Sequence, residues 1–418
     1  MLIKIARLSV WNRRITVLLT LLALSISIAL VLGIDHLRNQ AKESFSKTLS
    51  GTDLIVGARS GSINLLLYSV FHIGNATNNI SWQTYQELAR HSAVDWLIPL
   101  SLGDSHRGYR VLGTNEVYFS HYQFGQHQSL TFAQGKKFEG VYDAILGAEV
   151  AKKLNYKLGD KIIIAHGSGD ITLSKHSDKP FTVVGILQAT GTPVDRTVHI
   201  SLAAIEAIHL DWQGGVQSPG HKISAEESLK FDLTPTAVTA ILVGLKSRSK
   251  TFSVQRQINE YTEEPLLAIL PGVALTELWS MLAIVENLLV LISIFVLIAA
   301  LMGMMTSFLS AMNERQREIA ILRSLGASAF YLFLLVELEI LIITLLALLL
   351  GTGVLALGLT FSQHYLAQQF GLFVSVNPIQ TYTPLAATGV ILLALLLGSI
   401  PALLTYRRAL SEGLSQRL

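Results

Sequence analysis

The sequence predicts a membrane α-helical protein with four spans that also carries an α+β extracytoplasmic domain. Three observations lead there. Long uncharged runs lie near the N-terminus and in the last third of the 418 residues, and the stretch between them reads as a mixed soluble domain. Half of the residues are hydrophobic and 15% are charged, with a mean hydropathy of +0.47, averages that suit a chain part membrane and part soluble. Basic residues gather in short segments beside the apolar runs, although the net charge is only +3. That small surplus gives no argument for a nucleic-acid partner.

A bilayer core of about 30 Å takes roughly 20 apolar residues in a helix. Residues 15–34 meet that length without a charge and follow Lys4, Arg7, Arg13 and Arg14 in the basic segment 1–14. Residues 288–312, 330–359 and 385–404 supply the other three spans. The link 313–328 holds Arg315, Arg317 and Arg323, and the tail 405–418 holds Arg407, Arg408 and Arg417. With four spans all three basic segments share one side, so the positive-inside rule places both termini in the cytoplasm. Residues 35–287 and the loop 360–384 then lie outside. The first apolar run leads into Asp35, His36, Leu37 and Arg38 with no small-x-small cleavage site, which reads as an uncleaved anchor.

Within the outer domain, residues 35–50 have helical spacing and extend the first span, and 273–287 leads into the second. Strands are expected at 53–56, 94–100, 108–113, 161–165, 181–187, 198–201, 236–245 and 266–270, mostly on β-branched content. Helices are expected at 82–91, capped by Ser81, and at 148–154, 202–210 and 253–261. Residues about 102–180 are richer in Gly, His and Lys and read as an inserted lobe. The apolar segment 64–79, with Tyr68 and Phe71, reads as a buried edge or dimer-facing piece rather than a substrate-contacting loop.

Catalytic signatures are missing. No G-x-x-x-x-G-K-[ST] string occurs, so the chain is not expected to hydrolyse ATP. H-E-x-x-H and G-x-S-x-G are absent, and S-x-x-K at Ser44/Lys47 and Ser247/Lys250 lacks its companion strings. The adjacent acids Glu226-Glu227 and Glu263-Glu264 read as solvated surface. There is no cysteine, hence no disulfide and no thiolate ligand.

Eleven of the twelve histidines fall in the outer domain, and His364 is in the second outer loop. The pairs His121/His127, His166/His176 and His199/His209 have no compelling ligand spacing, so they read as scattered surface groups and no metal site is assigned, with a weak periplasmic metal site as the alternative. Glu337 and Glu339 sit inside the third span, where carboxylates are costly. Two residues apart, they point to different faces; the reading is one packed inward near the interface, with a proton relay as the alternative.

The link carries the most information. Residues 313–327 (NERQREIAILRSLGA) form an amphipathic helix with Ile319, Leu322 and Leu325, together with Ile321, as its apolar stripe. Glu314, Arg315, Arg317 and Glu318 form the charged face, and Gly326 stops the helix. The pattern alone suits either a helix on lipid headgroups or a docking helix for a cytoplasmic partner.

This link resembles that of the MacB/FtsX/LolC-type ABC transporter permeases. Their E-R-x-x-E-I-x-x-x-R-x-x-G-A pattern is matched by Glu314, Arg315, Glu318, Ile319, Arg323, Gly326 and Ala327. The P-A-x-x-x-x-R-R-A string at Pro401 to Ala409, and the outer strings at 146–151, 158–161 and 181–186, are similar as well. The resemblance implies a non-catalytic permease of a bacterial inner membrane that homodimerises and pairs with two copies of a separate cytoplasmic ATPase. ATP and Mg would be bound by that partner, with no cofactor in this chain. It implies that 313–328 is a coupling helix, with Glu314, Arg315, Arg317, Glu318, Ile319, Leu322, Arg323 and Gly326 as coupling residues. It also implies a porter-like lobe with an inserted lobe, a periplasmic partner or adaptor, and motion passed outward by mechanotransmission. A lipoprotein, peptide, amphiphile or metal-linked cargo fits this reading. The alternative is an FtsX-like scaffold that activates a periplasmic enzyme or binds a periplasmic protein without transport. A membrane-tethered hydrolase or metal-handling protein is a third reading. No ATPase domain is fused to this sequence, unlike the macrolide exporter, so a drug substrate is not carried over.

Overall fold

The computed structural model describes residues 14–167, 174–213, 216–217, 223–314, 316–370, 374–379 and 383–412. The chain falls into two compact units, one made of Met1–Ala41 with Ala283–Leu418 and the other of Lys42–Leu282.

The first unit is helical. Four helices are long and apolar enough to cross a membrane, within Arg14–Thr48, Pro271–Glu314, Ala329–Phe370 and Thr383–Glu412. Each buries one stripe and leaves the rest apolar and exposed, as at Leu349 and Leu396, which suits a lipid-facing surface. Leu24, Ile28, Leu301, Ile340, Ile343 and Ala394 form the interior. Small residues set the helix approach: a Cβ on Gly351 would lie 2.8 Å from the Ser25 carbonyl oxygen. Polar ties join the ends of these helices. Arg38 pairs with Glu286 at 2.8 Å, His36 Nε2 lies 2.8 Å from the Ser375 carbonyl, and the Ser375 amide donates to Gln40 at 3.1 Å.

The second unit is α+β and is built on one mixed sheet. Its main path uses nine strands, labelled in chain order: β1 Leu54–Ala58, β2 Val94–His106, β3 Tyr109–Thr114, β4 Phe132–Gly135, β5 Asp143–Leu146, β6 Phe181–Leu187, β7 Thr197–Ser201, β8 Ala240–Leu245 and β9 Leu266–Ile269. Their spatial order is β9-β1-β8-β2-β3-β7-β5-β6-β4. The first four are antiparallel and form one lobe. Strands β3/β7 and β5/β6 are parallel pairs in the other.

Successive side chains of a strand face opposite sides, and the burial follows this rule. Ile55, Ile98, Leu100 and Leu242 enter one core with Leu65 and Tyr68, whereas Leu54, Val56, Leu97, Ile241 and Val243 enter another with Val254 and Ile258. Both faces of β1 are therefore covered, which is why LIVGA reads as a continuous apolar run. The segment 64–79 is explained here: helix Ser62–Val70 packs Leu65, Leu66, Tyr68 and Val70 inward, and the Tyr68 hydroxyl donates to the Thr239 carbonyl at 3.1 Å.

β2 belongs to both lobes. Its first half pairs with β8 and its second half with β3, with a register shift between Leu102 and Ser105. The chain leaves the first lobe in mid-strand and returns near Ala237. The second lobe is thus longer than the 102–180 read from composition, because β6 pairs with β5 and β7 with β3. Its core holds Val111, Leu146, Val150, Ile162, Phe181, Val183, Val198 and Ile200. Gly147, in the family-like string 146–151, sits where a Cβ would meet the Val194 carbonyl oxygen at 2.2 Å, so the position has no room for a side chain.

His199 on β7 is completely buried against Tyr118 and Phe119, with ring centroids 5.3 and 5.9 Å away. Burial first, and the nearby His72 second, push it down to about 3. An unfolded histidine titrates near 6.5, so the unfolded chain binds the extra proton first as the solution is acidified. This contribution to stability is complete above about pH 6.5 and is lost as pH falls toward the folded value. Thermal unfolding midpoints should drop between pH 7 and pH 4, and His199→Phe should reduce that drop. An equal acid slope in the variant would remove His199 from the account.

Candidate coupling segment

The link between the second and third spans ends in two adjoining stop and start signals. Helix Gln316–Ser324 is closed by Gly326 at φ +93, a left-handed conformation open to glycine. The Ala327 amide donates to the Leu322 carbonyl and the Gly326 amide to the Arg323 carbonyl, both at 3.0 Å, the paired bonds of a Schellman cap. Ser328 then caps the next helix, its hydroxyl accepting from the Tyr331 amide at 3.2 Å. The sequence S-L-G-A-S thus makes a tight corner that holds a short helix apart from the long apolar one.

On this helix Ile321 and Leu325 are 60% and 79% exposed, and being four residues apart they share one face. Ile319, Leu322 and Arg323 are half-buried. The apolar stripe therefore splits, with Ile319 and Leu322 on the covered side and Ile321 and Leu325 outward. Ile321 and Leu325 are additions to the expected coupling residues; their i, i+4 spacing was the available signal. Arg315 lies outside the described residues, as do the side chains of Glu314, Arg317 and Glu318.

The two intramembrane carboxylates separate as their spacing requires. Glu339 is fully buried beside a small cavity lined by Thr16, Thr20, Ser307, Phe308 and Ile343, whereas Glu337 is half-buried. The histidine pairs divide differently from their spacing. His121 lies near Trp96 and His127 bonds Gln123, so the first pair does not meet. His199 and His209 also part. His166 and His176 do approach, with ring centroids 4.7 Å apart, and His209 and Asp104 join them.

The sequence pattern of the MacB-like periplasmic core domain matches residues 17–261, and that of the FtsX-like permease C-terminal region matches residues 290–414. The chain belongs to the MacB/FtsX-type ABC transporter permeases. No curated protein matches it. Among solved structures, it is similar to the periplasmic region of MacB from Actinobacillus actinomycetemcomitans, at 12% identity and a TM-score of 0.33, covering 55% of this chain and 94% of that one. It is also similar to the extracellular domain of the ABC-type transporter YknZ from Gram-positive bacteria, at 14% identity and a TM-score of 0.30, covering 52% and 99%. The permease is accordingly a transporter-type subunit of the inner membrane with a periplasmic domain, and its family implies a cytoplasmic ABC ATPase as partner.

Proposed function

We propose that this permease couples ATP hydrolysis by a separate cytoplasmic ATPase to a conformational change of its periplasmic domain, moving or releasing a periplasmic or membrane-derived substrate. The observation that carries the reading is the capped helix 316–324, which presents Ile321 and Leu325 outward at a corner between two spans. An exposed apolar pair at a capped corner suits the apolar centre of a protein contact. The ATPase binds there, in two copies on a permease homodimer, with 313–328 as the coupling segment and both termini cytoplasmic. The chemistry stays in the ATPase, which holds ATP and Mg. Residues 35–287 occupy the periplasm and receive an adaptor or cargo protein.

Motion reaches the outer domain through helices 14–48 and 271–314, because each continues past the length needed to cross a bilayer. The Arg38–Glu286 pair and the Ser375 contacts keep the outer ends of the spans moving together.

Purification of the untagged complex from membranes tests this reading. An ABC ATPase should co-elute and hydrolyse ATP faster than it does alone. A permease that elutes without any ATPase contradicts the assignment. Co-elution of a periplasmic hydrolase activated by nucleotide, with no cargo moved in vesicles, would favour the scaffold alternative.

A further inference from the structure

The periplasmic domain brings together three imidazoles and one carboxylate from four separate places in the chain. Asp104 lies on β2, and His166 is paired with it across an antiparallel bridge. His176 follows the short strand Ser174–Lys175 that pairs with His166's own strand, and His209 ends helix Leu202–His209. One ligand atom from each of the four lies within 4.8 Å of the others. From this convergence we propose that Asp104, His166, His176 and His209 form a binding site for a late first-row divalent cation such as zinc.

The donor chemistry fits. Three neutral imidazole nitrogens and one carboxylate oxygen are a common four-coordinate set for zinc. Zinc bonds of about 2.0–2.1 Å space tetrahedral donors about 3.3 Å apart, so the widest pair closes by about 1.5 Å on loading. Asp104 already stands between two of the rings, with Oδ1 at 2.9 Å from His166 Nδ1 and 3.9 Å from His209 Nε2.

The surroundings leave lone pairs for a cation. His209 Nδ1 donates to the Ile205 carbonyl at 2.7 Å, which fixes the tautomer and leaves Nε2 as the free donor atom. His176 is fully buried, and neither of its ring nitrogens, nor Nε2 of His166, has a hydrogen-bond partner among the described residues. Burying such groups unpaired is costly, and a cation satisfies them together.

The site is also held in place. Trp212 covers it, with ring centroids 4.8 Å from His166 and 4.5 Å from His176. Just beyond His176, the buried Lys179 amine donates to Asp211 and to the Ala207 carbonyl, locking the His176 turn to the end of the His209 helix. The four ligands are thus carried by paired strands and a helix end that the fold brings together. The side chains of His166 and His209 remain 21% and 31% exposed, which gives an ion a way in. A loaded cation would tie the paired strands 165–166 and 174–175, β2 and the 202–209 helix together.

The full-length permease, purified without a histidine tag, stripped with chelator and titrated with zinc against a chromophoric chelator, tests the site. One zinc per chain should bind tighter than about 1 µM, and zinc should raise the thermal midpoint. His176→Gln and Asp104→Asn should each weaken binding at least about tenfold, while His127→Ala, at an exposed histidine outside the cluster, should leave it unchanged. Failure of the wild-type chain to hold one zinc below about 1 µM overturns the proposal, whatever the variants do. So does unchanged affinity in both ligand variants. If the variants do not fold, cobalt(II) added to the wild-type chain decides: intense visible absorption from a four-coordinate centre supports the site, and a weak six-coordinate spectrum overturns it. None of these outcomes depends on the ATPase.

Discussion

Replacing Asp211 with alanine is expected to destabilise the periplasmic domain by about 3–5 kcal/mol. Asp211 and Lys179 are both completely buried and meet at 2.5 Å. Taking two charges out of water is expensive, and their attraction repays the cost only while both are present. Alanine leaves the Lys179 ammonium in the interior with the Ala207 carbonyl as its remaining acceptor among the described residues, which is too little to offset its desolvation. The double variant Lys179→Met with Asp211→Leu removes both charges at similar volume and should recover most of the loss. Chemical denaturation of the full-length protein, followed in the periplasmic domain by tryptophan fluorescence, measures both. A single variant as stable as the parent would mean that the pair is solvated rather than buried.

The second large effect falls on the coupling segment. Aspartate at both Ile321 and Leu325 is expected to weaken ATPase binding by at least about thirtyfold, the equivalent of one interface hot spot at about 2 kcal/mol. Both side chains are exposed, so the substitution should not disturb folding of the membrane unit. Gly326 and Ser328 keep their caps, and the helix itself should persist. Loss of co-elution and of stimulated ATP turnover, with an unchanged melting profile of the permease alone, is the expected combination. Full stimulation in the double variant would place the ATPase contact elsewhere.

Much of the fold was legible because its signals are local. Apolar runs of bilayer length gave the spans, and β-branched runs gave β2, β3, β6, β7 and β8. Ser81 was readable as a cap and does accept from the Thr84 amide. β5 was not legible: Asp143–Leu146 is only four residues, too short to show a period, although it is central in the sheet. The extent of the second lobe was hidden for another reason. β6 and β7 look like strands whichever lobe they join, and pairing between distant segments leaves no local mark.

The candidate sites divide in the same way. Gly326 as a stop and the amphipathic link were visible, since capping and the 3.6-residue period are written in neighbouring residues. The outward turn of Ile321 and Leu325 depends on which face the rest of the membrane unit covers, and needed the structure. The Asp104–His166–His176–His209 cluster was not legible: the His166/His176 pair read as scattered surface histidines, and spacing linked neither to Asp104 or His209. The other two members come from a strand and a helix end far away in sequence, and short-range spacing cannot find ligands that only the fold assembles.

The central claim is that nucleotide on a cytoplasmic partner moves the helices that lead to the periplasmic domain. The chain has no cysteine, so paired labels can be placed without background. Spin labels at Leu37→Cys and Ile284→Cys, both exposed positions beyond the first span and before the second, report the separation of these helices by pulsed electron resonance. In the permease–ATPase complex the distance distribution should differ between the nucleotide-free and ATP-bound forms, and the Ile321→Asp/Leu325→Asp variant should not respond. One unchanging distribution in the wild-type complex, with ATP turnover intact, would contradict the account.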